Sequence, residues 1–437
     1  MLPGPAQQPG RRPGVLRAGW DVIADAFRLI GAHWPMLLLL AIVSVVAREY
    51  VLQATVLANR TSVALSQLVL ALAPLVQLLT VVGMLLTMRS RMPGERVITS
   101  LVVGSAAAML PFLVIYEHYG YLDEDVLAFG LATFEDLGET EDITTRLPQG
   151  TSAVILVTIA VALSLRQVLT RLVRRTPPGH EARRSVLRLV GGYCEVVWLV
   201  LAAWVVKSFL EGLAGWWRTR SVGVAVEAWW RSVSIDLPEL SGVVTTVLGW
   251  FGTVADAALA AFVVPLAWLA VAGIVYGVHA ERVLRARDLR GRAVTDRLVG
   301  RLGDDRADRG LRLLTDPERR FGGVVGAGIL IARAGWQPVL LFCLAFLAAD
   351  RSGTLLFELA RLIFGARSIG DFWALLWPPL DMLETVVVRV LTLALVASAI
   401  DSLLRSLGLP GSLRLQRSGD REPEVLGAVA VGPERAG

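Results

Sequence analysis

The chain has 437 residues, of which 54% are hydrophobic and 19% are charged, and its mean hydropathy is +0.59. This composition is too apolar for a soluble globular protein of that length and predicts a protein that crosses a membrane several times. The net charge is +5, but the arginines lie in short loops beside apolar runs, as cytoplasmic loops of membrane proteins do. The charge therefore does not indicate a nucleic-acid partner.

Motifs that carry chemistry in other proteins are absent from the sequence. It contains no HExxH, GxSxG, Walker or GxGxxG pattern. Its two cysteines, Cys194 and Cys343, lie in separate apolar runs, where they fit small buried residues better than a disulfide or a metal site. We therefore predict no cofactor and no metal, and catalysis is the least favoured class of function.

Residues 14–90 predict an interfacial helix followed by a first hairpin of two spans. Residues 14–31 carry apolar side chains, including Trp20, on one helical face and charged side chains on the other. We expect this amphipathic helix to lie on the cytoplasmic surface of the bilayer, before spans at residues 29–47 and 65–88.

Residues 91–185 predict an inserted pair of spans, at residues 101–116 and 152–165, that are joined by an acidic external loop. The loop, residues 117–150, contains nine acidic residues and one arginine. Scarcity of arginine is expected on the external side of a membrane. The acidic residues lack the spacing of a calcium loop, and His118 is a lone imidazole, so we expect a solvated loop rather than a metal site.

Residues 186–278 predict a second hairpin whose spans are separated by a tryptophan-rich external segment. The apolar run 243–277 would be about 50 Å long as one helix, whereas the hydrocarbon core of a bilayer is about 30 Å thick. We therefore expect Gly249 and Gly252 to separate a short outer segment from a span centred on Pro265.

The remainder of the chain predicts a cytoplasmic segment and a third hairpin. Residues 279–322 contain twelve arginines and eight acidic residues and are expected to form short amphipathic helices on the cytoplasmic surface. Residues 323–407 form the third hairpin, and residues 1–13 and 408–437 are expected to be disordered. All arginine-rich loops then lie on one side, which predicts eight spans in the plasma membrane with both termini in the cytoplasm.

Two segments of the chain resemble each other. Pro74–Thr87 reads PLVQLLTVVGMLLT, and Pro379–Thr392 reads PLDMLETVVVRVLT. A fainter copy, PLAWL, spans Pro265–Leu269. The alternative is chance similarity between apolar sequences of limited alphabet. The prediction is an all-α, polytopic integral membrane protein with about eight transmembrane helices, interfacial amphipathic helices and a partly repeated helical hairpin.

Charged residues within the apolar runs are the candidate site residues, because charges at membrane depth are costly and are usually functional. One hypothesis is an outward-facing polar cavity that binds a small polar or anionic group or relays protons. The alternative is that the outer charges reach the interface and that Arg389 makes one structural ion pair. The candidates for substrate binding are Lys207, Asp256, Asp381, Glu384 and Arg389.

Two classes of function remain open. The first is a transporter or lipid-handling protein whose substrate reaches the charged third hairpin. The second is a membrane scaffold or accessory subunit of a larger complex. Apart from the lipid bilayer, its partner would be a membrane protein bound through residues 279–322 or through the tryptophan-rich external segments.

Overall fold

The computed structural model describes residues 15–90, 97–137, 153–177, 180–236, 238–276, 336–406 and 413. Helices contain 94% of these residues, and none of them lies in a strand. In chain order the α-helices are α1 (Val15–Asn59), α2 (Val63–Leu70), α3 (Leu72–Met88), α4 (Val97–His118), α5 (Tyr121–Leu137), α6 (Ala153–Arg175), α7 (Glu181–Thr219), α8 (Ser221–Asp236), α9 (Pro238–Ala258), α10 (Val264–Val275), α11 (Trp336–Asp350), α12 (Ser352–Phe364) and α13 (Ala374–Ser406).

Eight helical segments in this part of the chain are long and apolar enough to cross a membrane. Their length and hydropathy indicate a membrane protein, and their number agrees with the number of spans that the sequence predicts. The predicted cytoplasmic segment 279–322 and the N-terminal segment 1–13 lie outside the described residues, as does all of the tail 408–437 except Leu413.

The first helix differs from its prediction. An interfacial helix separate from the first span was expected, but α1 is continuous over 45 residues, which corresponds to about 70 Å. Trp20 is 70% exposed, whereas Asp25, on the charged face, is buried. Asp25 faces the bundle because Arg28 and Arg405 pair with it at 3.0 and 3.1 Å.

The core of the bundle lies where α3, α10 and α13 meet α1 and α4. Its fully buried residues include Leu78 and Leu85 of α3, Val271 of α10, and Leu393 and Val396 of α13. Helix association inside a membrane depends on such close van der Waals packing, because lipid chains are as apolar as the side chains themselves. In contrast, α8 and α9 lie at the periphery, and most of their side chains are exposed.

Two of the breaks in the helices come before prolines, and the glycines predicted to break the apolar run 243–277 do not break it. The expected break at Gly249 and Gly252 does not occur, since α9 passes through both residues and ends at Ala258. A π-helical turn, Leu259–Val263, follows, and Pro265 opens α10. Proline has no backbone N–H, so the preceding turn must widen or break. A second π-helical turn, Ile369–Trp373, likewise precedes α13 with its Pro378 and Pro379.

The acidic segment after α4 is also more ordered than a solvated loop. Its first half forms α5, which packs against α1. Leu52 of α1, Leu70 of α2 and Phe129 of α5 form a small buried cluster there. The prediction of a solvated loop is therefore wrong for α5, because a face with an apolar residue at every turn directs the helix onto the bundle. We call this end of the bundle the α5 end.

At the opposite end, polar contacts join the chain near its two termini. Asp401 and Arg405 pair at 2.8 Å, and Arg405 also reaches Asp25 of α1. The backbone N–H of Leu413 donates to Asp401 at 3.2 Å, and Arg89 donates to the carbonyl of Val275 at 2.8 Å. These contacts connect α1, α3, α10 and α13 at this end.

Replacing Leu78 with alanine tests the assignment of the core. Leu78 is fully buried, so Leu78→Ala is expected to lower the free energy of unfolding by about 2–5 kcal/mol through lost contacts and a cavity. Leu375→Ala removes the same atoms from a side chain that is 80% exposed, and should change stability little. Denaturation in detergent measures both, and equal losses would contradict this core.

Candidate functional site

Arg389 of α13 is the charged residue on which the candidate site is centred. Its guanidinium donates to Ser44 Oγ of α1, and to Gln77 Oε1 of α3 at 2.7 Å. Each of the three helices is mainly apolar here, so the polar side chains of Ser44, Gln77 and Arg389 are directed toward one another. Arg389 thereby joins three spans at membrane depth.

The partners of Arg389 are neutral. No carboxylate among the described residues lies within the 4.0 Å that defines an ion pair with it. Charged groups inside membrane proteins are usually paired or directed into a cavity, because an unpaired charge is costly there. The predicted alternative, in which Arg389 makes one structural ion pair with a carboxylate, is therefore not what the described residues form.

A second arginine, Arg48, lies on α1 one helical turn from Ser44. Ser44 and Arg48 are four residues apart, which places both on one face of the helix. Arg48 contacts a single oxygen of Asp125 on α5, at 2.7 Å from Nε and 2.6 Å from a terminal nitrogen. The other carboxylate oxygen of Asp125 accepts a hydrogen bond from the hydroxyl of Tyr116.

These two groups form one electrostatic unit. Arg48, Tyr116 and Tyr121 all act electrostatically on Arg389. We call the set the Arg389 cluster, and its members are Ser44, Arg48, Gln77, Tyr116, Tyr121, Asp125 and Arg389. Asp125 is the one carboxylate of this set, and Glu124, which is more than half exposed and lies 3.8 Å from Arg48, adds a second carboxylate at its edge.

Asp125 is the most unusual carboxylate of the cluster, because its side chain is only 1% exposed. Burial raises the pKa of the Asp125 carboxyl, and Arg48 and the hydrogen bond from Tyr116 act in the opposite direction. Burial also raises the pKa of the neighbouring Glu124, although its side chain is more than half exposed. The ionised form of Asp125 thus depends on Arg48 remaining in contact with it.

Two of the predicted site residues lie away from Arg389. Lys207 of α7 pairs with Asp123 of α5 at 2.5 Å and lies 4.0 Å from Glu117. Asp256 is exposed on α9, which contacts α8 and the adjoining π-helical turn. Neither residue therefore shares a contact with Arg389.

The other two predicted residues lie on α13 with Arg389, but nearer its start. Asp381 is exposed, and Glu384 is half-buried one turn farther along. Glu384 packs so closely against Gly353 of α12 that a Cβ at position 353 would overlap its carboxylate. Of the five predicted residues, Arg389 alone belongs to the cluster, and Asp381 and Glu384 act electrostatically on each other.

Several members of the cluster were not predicted from the sequence. Ser44 and Gln77 are uncharged, so they carry no signal of their own in an apolar run. Asp125 was assigned to a solvated loop, although Leu122, Val126 and Phe129 mark an apolar face in that segment. That periodicity could have indicated a docked helix.

Within the described residues, no group of three His, Cys, Asp or Glu side chains could hold a metal ion.

A double-mutant cycle tests the pair formed by Arg48 and Asp125. Arg48→Gln leaves the buried Asp125 carboxylate without its cation, which is expected to lower the free energy of unfolding by about 3–5 kcal/mol. Asp125→Asn should cost less, because Arg48 is 27% exposed and remains 3.8 Å from Glu124. The double variant should recover part of that loss.

The control cycle uses Glu227 and Arg231 of α8, which form an exposed pair at 3.4 Å. Their coupling energy should be about 0.3–0.5 kcal/mol. Denaturant titrations in detergent measure both cycles, and equal coupling energies would contradict the burial of the first pair.

Comparison with known proteins finds no family model, no curated protein and no solved structure that matches this chain. A function must therefore be argued from the site itself. What the Arg389 cluster offers chemically is a guanidinium at membrane depth whose hydrogen-bond partners are neutral, near a second guanidinium that is paired with the buried Asp125 and lies 3.8 Å from the more exposed Glu124.

Proposed function

We propose that this membrane protein is a transporter or lipid-handling protein that binds an anionic group at Arg389. The observation that carries the proposal is the absence of a carboxylate beside Arg389 among the described residues, although Ser44 and Gln77 hold its guanidinium at membrane depth. An anionic substrate would supply the missing countercharge. Arginine suits this role because its planar fork of donors matches carboxylate and phosphate oxygens.

The proposed orientation places the α5 end outside the cell, both termini in the cytoplasm and the protein in the plasma membrane. Its support is the distribution of arginine, which is scarce in residues 117–150 and abundant in residues 166–188 and 279–322. The proposed polar cavity at Arg389 would then open to the outside of the cell, because Arg48 and Asp125 lie toward the α5 end.

The hairpin repeat is part of the same proposal. In each suggested copy the Pro-Leu motif follows a break in the helix and lies near the start of the next helix, at Pro74 of α3, Pro265 of α10 and Pro379 of α13. The first and third copies also meet at the site, since Gln77 belongs to one and Arg389 to the other. Transporters commonly bind substrates where repeats meet.

A membrane scaffold or accessory subunit is the second candidate. It is supported by the aromatic surface of α8 and α9, where Trp229, Trp250 and Phe251 are each about three-fifths exposed. Such a surface suits either lipid or a partner helix. The arginine-rich residues 279–322 would supply the cytoplasmic contact of that partner.

Flux measurements on reconstituted protein test the first proposal. Proteoliposomes would be assayed for uptake of phosphate, sulfate and lactate and for movement of fluorescent phosphatidylglycerol between leaflets. Arg389→Gln is expected to reduce flux at least tenfold, because a charge-assisted hydrogen bond contributes about 1.5–3 kcal/mol. Arg361→Gln, which alters an exposed arginine on α12, should leave flux unchanged.

The outcomes separate the site from the class of function. Flux that survives in Arg389→Gln would overturn the assignment of the site. Failure of the unaltered protein to move any of these probes would count against transport and favour the scaffold.

Deletion of residues 282–320 tests the second candidate. If the protein is a scaffold, a protein that co-purifies in stoichiometric amount from native membranes should be lost from the deletion variant, because the arginine-rich contact is removed. Native mass spectrometry of the purified complex measures this, and a partner retained by the variant would contradict docking through this segment.

A further inference from the structure

We propose that the carboxylate of Asp125 occupies part of the substrate-anion site, and that α5 acts as a lid over this site. A phosphate group would open the lid by replacing Asp125 as the partner of Arg48. This inference rests on the proposed anion site at Arg389 and adds the class of substrate and the way in which the site is closed. The phosphate group would belong either to free phosphate or to a lipid headgroup.

A shared ligand for the two arginines is supported by their common neighbour on α1. Arg389 donates to Ser44, and Arg48 lies one helical turn beyond Ser44 on the same face of α1. Arg48 also acts electrostatically on Arg389. The α5 carboxylates Asp125 and Glu124 contact Arg48 but not Arg389, whereas a phosphate group, with more oxygens and up to two charges, could accept from both arginines.

Asp125 already occupies half of such a site. Two nitrogens of Arg48 contact one carboxylate oxygen, and the hydroxyl of Tyr116 donates to the other. These are the donors that a bound phosphate group would use. Because the same donors cannot serve both anions, phosphate binding at Arg48 and docking of Asp125 exclude each other.

The rest of α5 is held by contacts that can be released. Asp123 pairs with Lys207, and Asp136 pairs with Arg60, which is more than half exposed. The exposed pair of Asp123 and Lys207 is expected to contribute less than about 1 kcal/mol. Asp136 is largely buried and accepts from two nitrogens of Arg60, so this pair is the stronger of the two. Gly120, with φ of +71°, connects α4 to α5 in a conformation that glycine adopts without strain.

Buried polar groups on α5 and on the neighbouring α1 and α2 destabilise the closed arrangement. Asn59 of α1, Gln67 of α2 and Thr133 of α5 are each at least nine-tenths buried, and their amide or hydroxyl atoms have no hydrogen-bond partner among the described residues. Unsatisfied buried polar groups destabilise the closed arrangement. Opening would hydrate them and so offset part of the loss of the apolar cluster around Phe129.

Phosphate binding to purified protein tests the exchange directly. The probes are inorganic phosphate with protein in detergent, and phosphatidylcholine vesicles with or without phosphatidic acid. Arg48→Gln and Arg389→Gln should each weaken binding at least about tenfold. Asp125→Asn should instead strengthen binding by about tenfold, because it removes the competing charge while keeping the shape.

Hydrogen exchange of residues 121–137 tests the lid. Amide exchange there should accelerate when phosphate is added to the unaltered protein, and should be fast without phosphate in Asp125→Asn. Phe129→Ala, which weakens the docking of α5 without changing charge, should also accelerate exchange and should strengthen phosphate binding. Glu227→Gln on α8 is the matched control and should change neither measurement.

The outcomes distinguish this inference from the proposed function. Asp125→Asn and Phe129→Ala that bind phosphate no better than the unaltered protein would overturn the lid, while loss of binding in Arg389→Gln would still support the anion site. Binding that is unaffected by Arg389→Gln, or no binding of either probe, would overturn both. Binding of inorganic phosphate identifies the free anion, and binding only to vesicles with phosphatidic acid identifies the lipid headgroup.

Discussion

The hydrogen bonds of Arg389 are the interaction on which the arrangement of the bundle depends. A guanidinium at membrane depth needs hydrogen-bond acceptors, and Ser44 of α1 and Gln77 of α3 accept from two of its five N–H groups. Because these residues lie on three spans, the rotation of each helix about its axis is restricted. The apolar core around Leu78 and Leu393 then packs beside the polar contacts and excludes lipid from them.

Charged contacts at the two ends of the bundle have different characters. At the α5 end, acidic residues of one short helix meet Arg48, Arg60 and Lys207 on two long helices. At the opposite end, Asp25 and Arg405 join α1 to α13 directly. The first set attaches a separate element to the bundle, whereas the second connects spans to each other. Movement of α5 therefore requires fewer changes in the core than movement at the opposite end.

The peripheral helices α8 and α9 bear on function separately from the Arg389 cluster. Helices α8 and α9 add exposed aromatic surface without contributing to the Arg389 cluster, and Asp256 lies on this surface. A surface of this kind is compatible with lipid contact or with a partner helix. The anion site and a docking surface can coexist in one protein, because they use different helices.

The sequence by itself determined the helical class and the number of segments that can span a membrane, because hydropathy is a local property of the chain. It predicted Arg389 as one of five charged candidates, because charge within an apolar run is also local. It could not determine which residues surround Arg389. Ser44 and Gln77 are uncharged residues in apolar runs, so the sequence does not indicate a role for them. Asp125 was predicted to lie in a solvated loop, whereas it is buried because α5 packs against α1. Nor could the sequence determine whether Lys207, Asp256 and Arg389 line one cavity. Contacts between residues up to 380 positions apart depend on helix packing, which only the tertiary structure decided.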